Sequence, residues 1–292
     1  MGQVCRGQPA AERLPLACGH RRLLPGLPGA VARRAADRRR AAGALTLIEP
    51  LAALGVGVAA YGTAIVGGLA GYGTNLLMPI ALVPVVGAAA AIPILAVSGL
   101  FNNGSRLVIF RDRVEWRPVL PLTLAAIPSC FVGAWLFTLL SGPQVALLLG
   151  ATLFATVPLR RWLRGRRLNI GTLGIVLLGV VFGLVTGGTP GGGVVLTAAL
   201  AAIGLAPQSV VATDAAISLV VGLVKVATFQ ALGELPAASW VFALVIGLIA
   251  IPGVMTARWL SDRMSVSLHG TILEAAILTG GAMLVLRGLG WV

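Results

Sequence analysis

Of 292 residues, 58% are hydrophobic and only 11% are charged, about half the charge of a soluble domain, which excludes an ordinary soluble globular protein. The net charge of +13 does not indicate nucleic-acid binding: the arginines cluster beside apolar stretches, at Arg33 to Arg40, Arg111 to Arg117 and Arg160 to Arg167, with no basic stripe interleaved with aromatics. Three cysteines without a Cys-x-x-Cys pair, and the distant His20 and His269, supply neither a disulfide framework nor a metal site, so no metal and no cofactor is expected.

In chain order, residues 1–42 are rich in Arg, Pro, Gly and Ala and lack the apolar run of a secretory signal; they read as a disordered, basic cytoplasmic tail. Residues 43–167 form a first transmembrane unit, with apolar segments at 45–67, 75–86, 88–110, 118–140 and 143–159. Residues 168–292 form a second, with segments at 171–186, 193–205, 208–231, 239–260 and 268–290. The segments at 75–86 and 193–205 hold about 12 residues, a rise of roughly 18 Å as helix, too short for a ~30 Å hydrocarbon core.

The two units match each other. Gly68-Leu-Ala-Gly-Tyr-Gly73 aligns with Gly187-Gly-Thr-Pro-Gly-Gly192 at an offset of 119 residues, where Arg106 also meets Lys225 and Phe110 meets Phe229. At an offset of 124, Trp116 meets Trp240, Pro128 meets Pro252 and Trp135 meets Trp259. Shared hydrophobicity gives scattered Leu and Val matches, not paired Trp and Pro, so the pattern indicates a duplication. The expected fold is an all-α polytopic membrane protein of about eight transmembrane helices in two homologous four-helix repeats, each with a Gly-rich broken or re-entrant short helix. With the short segments not crossing, the three arginine clusters and both termini lie in the cytoplasm, and Arg258 and Arg263 fall outside, as the positive-inside rule favours.

The glycine-rich breaks carry the chemistry. One contains Gly71, Gly73, Thr74 and Asn75, the other Gly187, Thr189, Gly191, Gly192 and Gly193. So much glycine interrupts a helix, and irregular backbone at membrane depth survives only inside protein or beside a wet cavity. The free amides that open each following short helix suit an anion. Matched broken helices in two halves point to a transporter site; close helix packing is the alternative role for these glycines.

Polar residues within the spans add candidates. Arg106 and Lys225, the only lysine, occupy equivalent positions; they either attract an anion or snorkel to the cytoplasmic interface. Asp214, Ser218 and Lys225 share one helical face, as do Ser98, Asn102 and Ser105. Asp214 either carries a coupling proton or caps its helix, and Glu274 is a second proton-coupling candidate.

The glycine-rich breaks, Pro79 after Leu76-Leu77-Met78, the Asn-Gly-Ser-Arg run at 103–106, the Arg111–Trp116 loop and the duplicated layout resemble the sulfite exporter TauE/SafE family over about residues 45–290. The family typically carries Gly-Gly around Thr74-Asn75, and this chain departs from it there. The resemblance implies a multi-pass protein of the bacterial inner membrane that moves sulfite, sulfonates or related sulfur-containing anions. The expected activity is a small-anion permease working by alternating access with proton coupling. Its partners are then the lipid bilayer and a small inorganic or organic anion. A permease for a carboxylate and a membrane scaffold without transport are the alternatives. No Ser/His, paired-aspartate or His-Glu-x-x-His arrangement suggests an enzyme.

Overall fold

The computed structural model describes residues 50–70, 73–163, 171–189 and 192–261, and, near the C-terminus, 278, 281–286 and 288–289. The basic tail, Gly71, Gly191 and Glu274 lie outside the described residues, as do the side chains of Thr74 and Asn75. Everything regular that is described is helical, as expected of apolar sequence in lipid, where a helix satisfies every backbone group within its own segment. The elements are α1 (Pro50–Ala70), α2 (Gly73–Val86), α3 (Ala88–Ile109), a 3-10 turn (Arg111–Arg113), α4 (Trp116–Leu139), α5 (Gly142–Leu163), α6 (Thr172–Gly188), α7 (Gly192–Ala202), α8 (Pro207–Ala231) and α9 (Ala237–Ser261). Among the described residues, five helices, α3, α4, α5, α8 and α9, are long and apolar enough to cross a membrane; α1, α2, α6 and α7 contribute shorter apolar stretches. The second glycine-rich break falls where the sequence places it: α6 ends at Gly188, Thr189 is extended, and α7 starts at Gly192. At the first, α1 is described to Ala70 and α2 from Gly73, and the two residues between lie outside the described residues.

Small residues set the closest helix contacts. A Cβ on Gly179 of α6 would lie 2.5 Å from the Leu122 carbonyl oxygen of α4. Cβ atoms on Gly183 and Gly187 would collide with the backbone at Ala126 and Cys130, and one on Gly133 of α4 with Leu184. The α6 glycines thus form a four-residue-spaced stripe that lets two backbones touch. The same device joins α1 to α9. A Cβ on Gly68 would stand 2.5 Å from the Ala257 methyl, and one on Gly253 would stand 2.7 Å from that of Ala64. In the repeat register Gly68 corresponds to Gly187, and Ala257 to Gly133.

These contacts give six of the helices a direction. Along α4 and α6 the contact positions rise together, so the two are parallel, and α1 and α9 are parallel for the same reason. In contrast, α3 and α8 are antiparallel: Arg106 reaches Val211 and Asp214, whereas Leu100 meets Gly222. The parallel pair α4 and α8 is fixed by Glu115 with Thr213 and Phe137 with Phe229. Helices α4, α6 and α8 therefore start at the face carrying Arg111–Arg113, the basic face. Helices α1, α3 and α9 end there. Each of α1, α3 and α4 runs opposite to its counterpart α6, α8 or α9.

This geometry corrects the sidedness inferred from charge. Arg258, expected opposite the Arg111–Arg117 cluster, donates to the Ile109 carbonyl at the end of α3 and lies 5.6 Å from the Phe110 ring centroid. It belongs to the basic face. The parity count failed because α7, short as it is, brings the chain back from the end of α6 to the basic face where α8 begins. By the same path, α1 and α2 together start and finish at the opposite face.

The outer surface is what lipid requires. Leu120, Leu124, Phe131 and Trp135 on α4, and Val241, Val245, Leu248 and Met255 on α9, are exposed, a density of bare apolar side chains that water would not tolerate. Trp116 is exposed at the start of α4. Trp240 starts α9 at the other face and donates its indole N–H to Gln230 Oε1 at 2.8 Å, as interfacial aromatics do.

Candidate functional site

The central antiparallel pair α3 and α8 leaves a cleft between them, closed on one flank by the end of α6 and the start of α7. Its cavity volume is about 60 Å³, and it is partly open to the outside. Its polar lining consists of Asn103 and Arg106 from α3, Thr186 and Thr189 from the second break, and Asp214, Ser218 and Lys225 from α8. Small residues, among them Gly99, Gly193 and Gly222, keep it open. Such side chains inside an apolar bundle face protein or water rather than lipid.

At the basic end, Arg106 and Asp214 form an ion pair, Nη2 to Oδ2 at 3.0 Å, with both side chains 2% exposed. Arg106 Nη2 also donates to the Val211 carbonyl at 3.2 Å, and Nη1 donates to Asn103 Oδ1 at 3.3 Å. Ser218 lies 3.4 Å from the other Asp214 oxygen. Arg106 Nε, although buried, has no hydrogen-bond partner among the described residues. Asp214 stands two turns into α8, which begins at Pro207, so it is not a helix cap; its role is to face Arg106.

Toward the opposite face, Lys225 Nζ donates to the Thr186 carbonyl at 2.6 Å and the Thr189 carbonyl at 3.4 Å. A helix end exposes carbonyls that lack intrahelical partners, and a cation there also satisfies the dipole. The ammonium thus caps α6 and reaches 5.7 Å from the Phe229 ring centroid. No carboxylate lies within ion-pair distance of Lys225 among the described residues.

Both cations are buried, so snorkelling is ruled out. They also do not share a cytoplasmic end, as the sequence reading expected: Arg106 lies near the basic face and Lys225 near the other.

Of the residues singled out in the sequence, the cleft gathers Arg106, Thr189, Gly193, Asp214, Ser218 and Lys225. Asn102 is buried, with its carbonyl accepting from Ser105 Oγ at 2.9 Å, but its neighbour Asn103 is the one that lines the cleft. Gly187 packs on α4 and Gly192 against Thr186; they shape the site without lining it. Gly73 begins α2, and among the described residues neither α1 nor α2 lines the cleft. The Thr189 hydroxyl donates to its own helix at Val185.

Sequence reasoning missed Thr186. Its hydroxyl is buried with no hydrogen-bond partner among the described residues, and a Cβ on Gly192 would meet it, so it faces the first turn of α7, where amides lack intrahelical partners. The repeat register gives no hint, because its counterpart is Gly67. Thr186→Val, nearly isosteric, removes only that donor. If the hydroxyl serves a bound anion, affinity falls about tenfold without loss of thermal stability, as binding and melting measured on the same purified sample will report.

The buried charges decide what this arrangement can do. Among the described residues two cations face one carboxylate, and the Lys225 charge is left without one. A buried charge without a counterion is costly, and an anion entering the cleft removes that cost. Lys225, Thr186 and Gly193 in the first turn of α7 all line the cleft where it would rest.

Comparison with curated proteins and with solved structures finds no significant match. The family model described as sulfite exporter TauE/SafE matches residues 53–284, most of the chain and all of the cleft. The chain belongs to the sulfite exporter TauE/SafE family, whose members are membrane transporters.

Proposed function

We propose that the protein is a permease for a small oxyanion, sulfite or a related sulfur oxyanion, which binds between α3 and α8 beside Lys225. The single observation that carries this reading is the positive charge of Lys225, with no carboxylate in ion-pair distance among the described residues, in a buried cleft at the glycine-rich second break. The opposite directions of matched helices support two inverted repeats, residues 43–167 and 168–292, whose symmetry provides the two access states of an alternating carrier. In this reading the anion rests on Lys225, the Thr186 hydroxyl and the backbone of Gly192 and Gly193. Asp214 takes the coupling proton, and Glu274 is the further candidate for that role. The face carrying Arg111–Arg113 and Arg258 is cytoplasmic by the positive-inside rule, in the inner membrane of a bacterium.

The test is flux in liposomes reconstituted with the full chain under an imposed pH gradient, with sulfite, sulfate, an organosulfonate and acetate compared. Saturable sulfite or sulfonate flux that responds to the gradient is expected. Acetate flux alone would move the substrate to the carboxylates, and no flux of any anion at verified incorporation would reject the permease reading.

A further inference from the structure

We propose that Arg106 is a second anion subsite, held occupied by the protein's own Asp214 carboxylate, so that Asp214 acts as a tethered substitute for a transported anion. This rests on the permease reading above and goes beyond it in assigning a second subsite and its internal occupant.

In the repeat register Arg106 corresponds to Lys225, Asn103 to Gly222, Gly99 to Ser218 and Leu95 to Asp214. All eight residues line the same cleft. The antiparallel crossing of α3 and α8 puts each half's cation at its own end, facing the other half's helix. At the basic end Arg106 meets the carboxylate of Asp214 at 3.0 Å. At the other end the residue corresponding to Asp214 is Leu95, which has no charge. One of two matched cation sites is neutralised from within and the other is left for a ligand.

The occupant fills its site only in part. Asp214 contacts the guanidinium through Nη2 alone, whereas a guanidinium presents paired donors suited to two oxygens of one anion. The unused donor, Arg106 Nε, is buried, with no hydrogen-bond partner among the described residues, on a side chain that lines the cleft. An oxyanion in place of the carboxylate has the oxygens to satisfy it. The internal carboxylate thereby limits the cleft to one bound anion.

Binding of radiolabelled sulfite to the purified full-length protein separates this inference from the function on which it rests. The intact protein is expected to bind one equivalent, and Lys225→Met to weaken binding at least about tenfold. Adding Asp214→Asn to Lys225→Met should restore binding to within about tenfold of the intact protein, and further addition of Arg106→Gln should abolish it. Asp214→Asn alone should bind a second equivalent. Leu95→Asp alone should behave like Lys225→Met, because it neutralises the free cation. If the intact protein binds and Asp214→Asn with Lys225→Met does not, although it elutes as a single folded species, the second subsite is refuted. If that double variant does not fold, Asp214→Asn alone decides, and a single equivalent refutes the inference. No binding by the intact protein would refute the permease reading and this inference with it.

Discussion

Replacing Lys225 with Met should lower sulfite flux about 100-fold, the largest effect of any single side chain in the cleft. Among the described residues the ammonium contributes the one positive charge in the cleft that no carboxylate balances, and removing one partner of a buried, hydrogen-bonded charge pair costs roughly 2–5 kcal/mol. Lys225→Arg retains the charge but not its placement: a planar fork cannot sit on the Thr186 and Thr189 carbonyls as a compact ammonium does, so intermediate flux is expected. Because Lys225 also caps α6, the Met variant should melt at a lower temperature. Flux per folded molecule in liposomes, with incorporation measured, distinguishes lost anion attraction from lost protein. Unchanged flux in Lys225→Met would remove Lys225 from the site.

Replacing Gly183 with Leu should prevent accumulation of folded protein. A Cβ there would meet the Ser129 hydroxyl and the Ala126 backbone at once, and backbone cannot be displaced as a flexible side chain can. Overpacking a close contact costs about 1–3 kcal/mol or more, and here α4 would have to separate from α6 along its length. Gly62 is the control. Nothing lies within 4 Å of where its Cβ would be, so Gly62→Ala should fold normally and gain a little helix propensity. The measurement is the monodisperse fraction in size-exclusion chromatography and the melting temperature of each variant. Equal behaviour of the two would show that the α4–α6 contact is not close-packed.

How much of this was legible in the sequence depends on the range of each interaction. Helix positions and glycine-rich breaks are local properties of apolar length and glycine density, and the described helices and the second break fall close to where the sequence indicates. Arg106 and Lys225 stood out because the repeat aligned them, and both line the cleft. The ion pair between Arg106 and Asp214 joins residues 108 positions apart in different halves, and no periodicity within α3 or α8 announces it. Thr186 looked like any threonine in an apolar helix; only the crossing of α7 over its hydroxyl marks it. Sidedness was misread for a definite reason. Counting arginines assumed that a short helix leaves the chain where it found it, but α7 carries it back to the basic face. The contact between Arg258 and Ile109 exposes the error and puts Arg258 on the Arg111–Arg113 face, whereas Pro50, where α1 begins, lies at the opposite face, against the expectation that the chain enters from the same side as that cluster.

The most direct probe of the central idea is anomalous scattering from crystals soaked in selenite, the heavier analogue of sulfite. A selenium peak within hydrogen-bonding reach, about 3–4 Å between oxygen-bearing anion and donor, of Lys225 Nζ and the Thr186 hydroxyl is expected, and it should vanish in Lys225→Met. An empty cleft in crystals whose selenium is bound elsewhere, or a peak that persists in the Met variant, would contradict it.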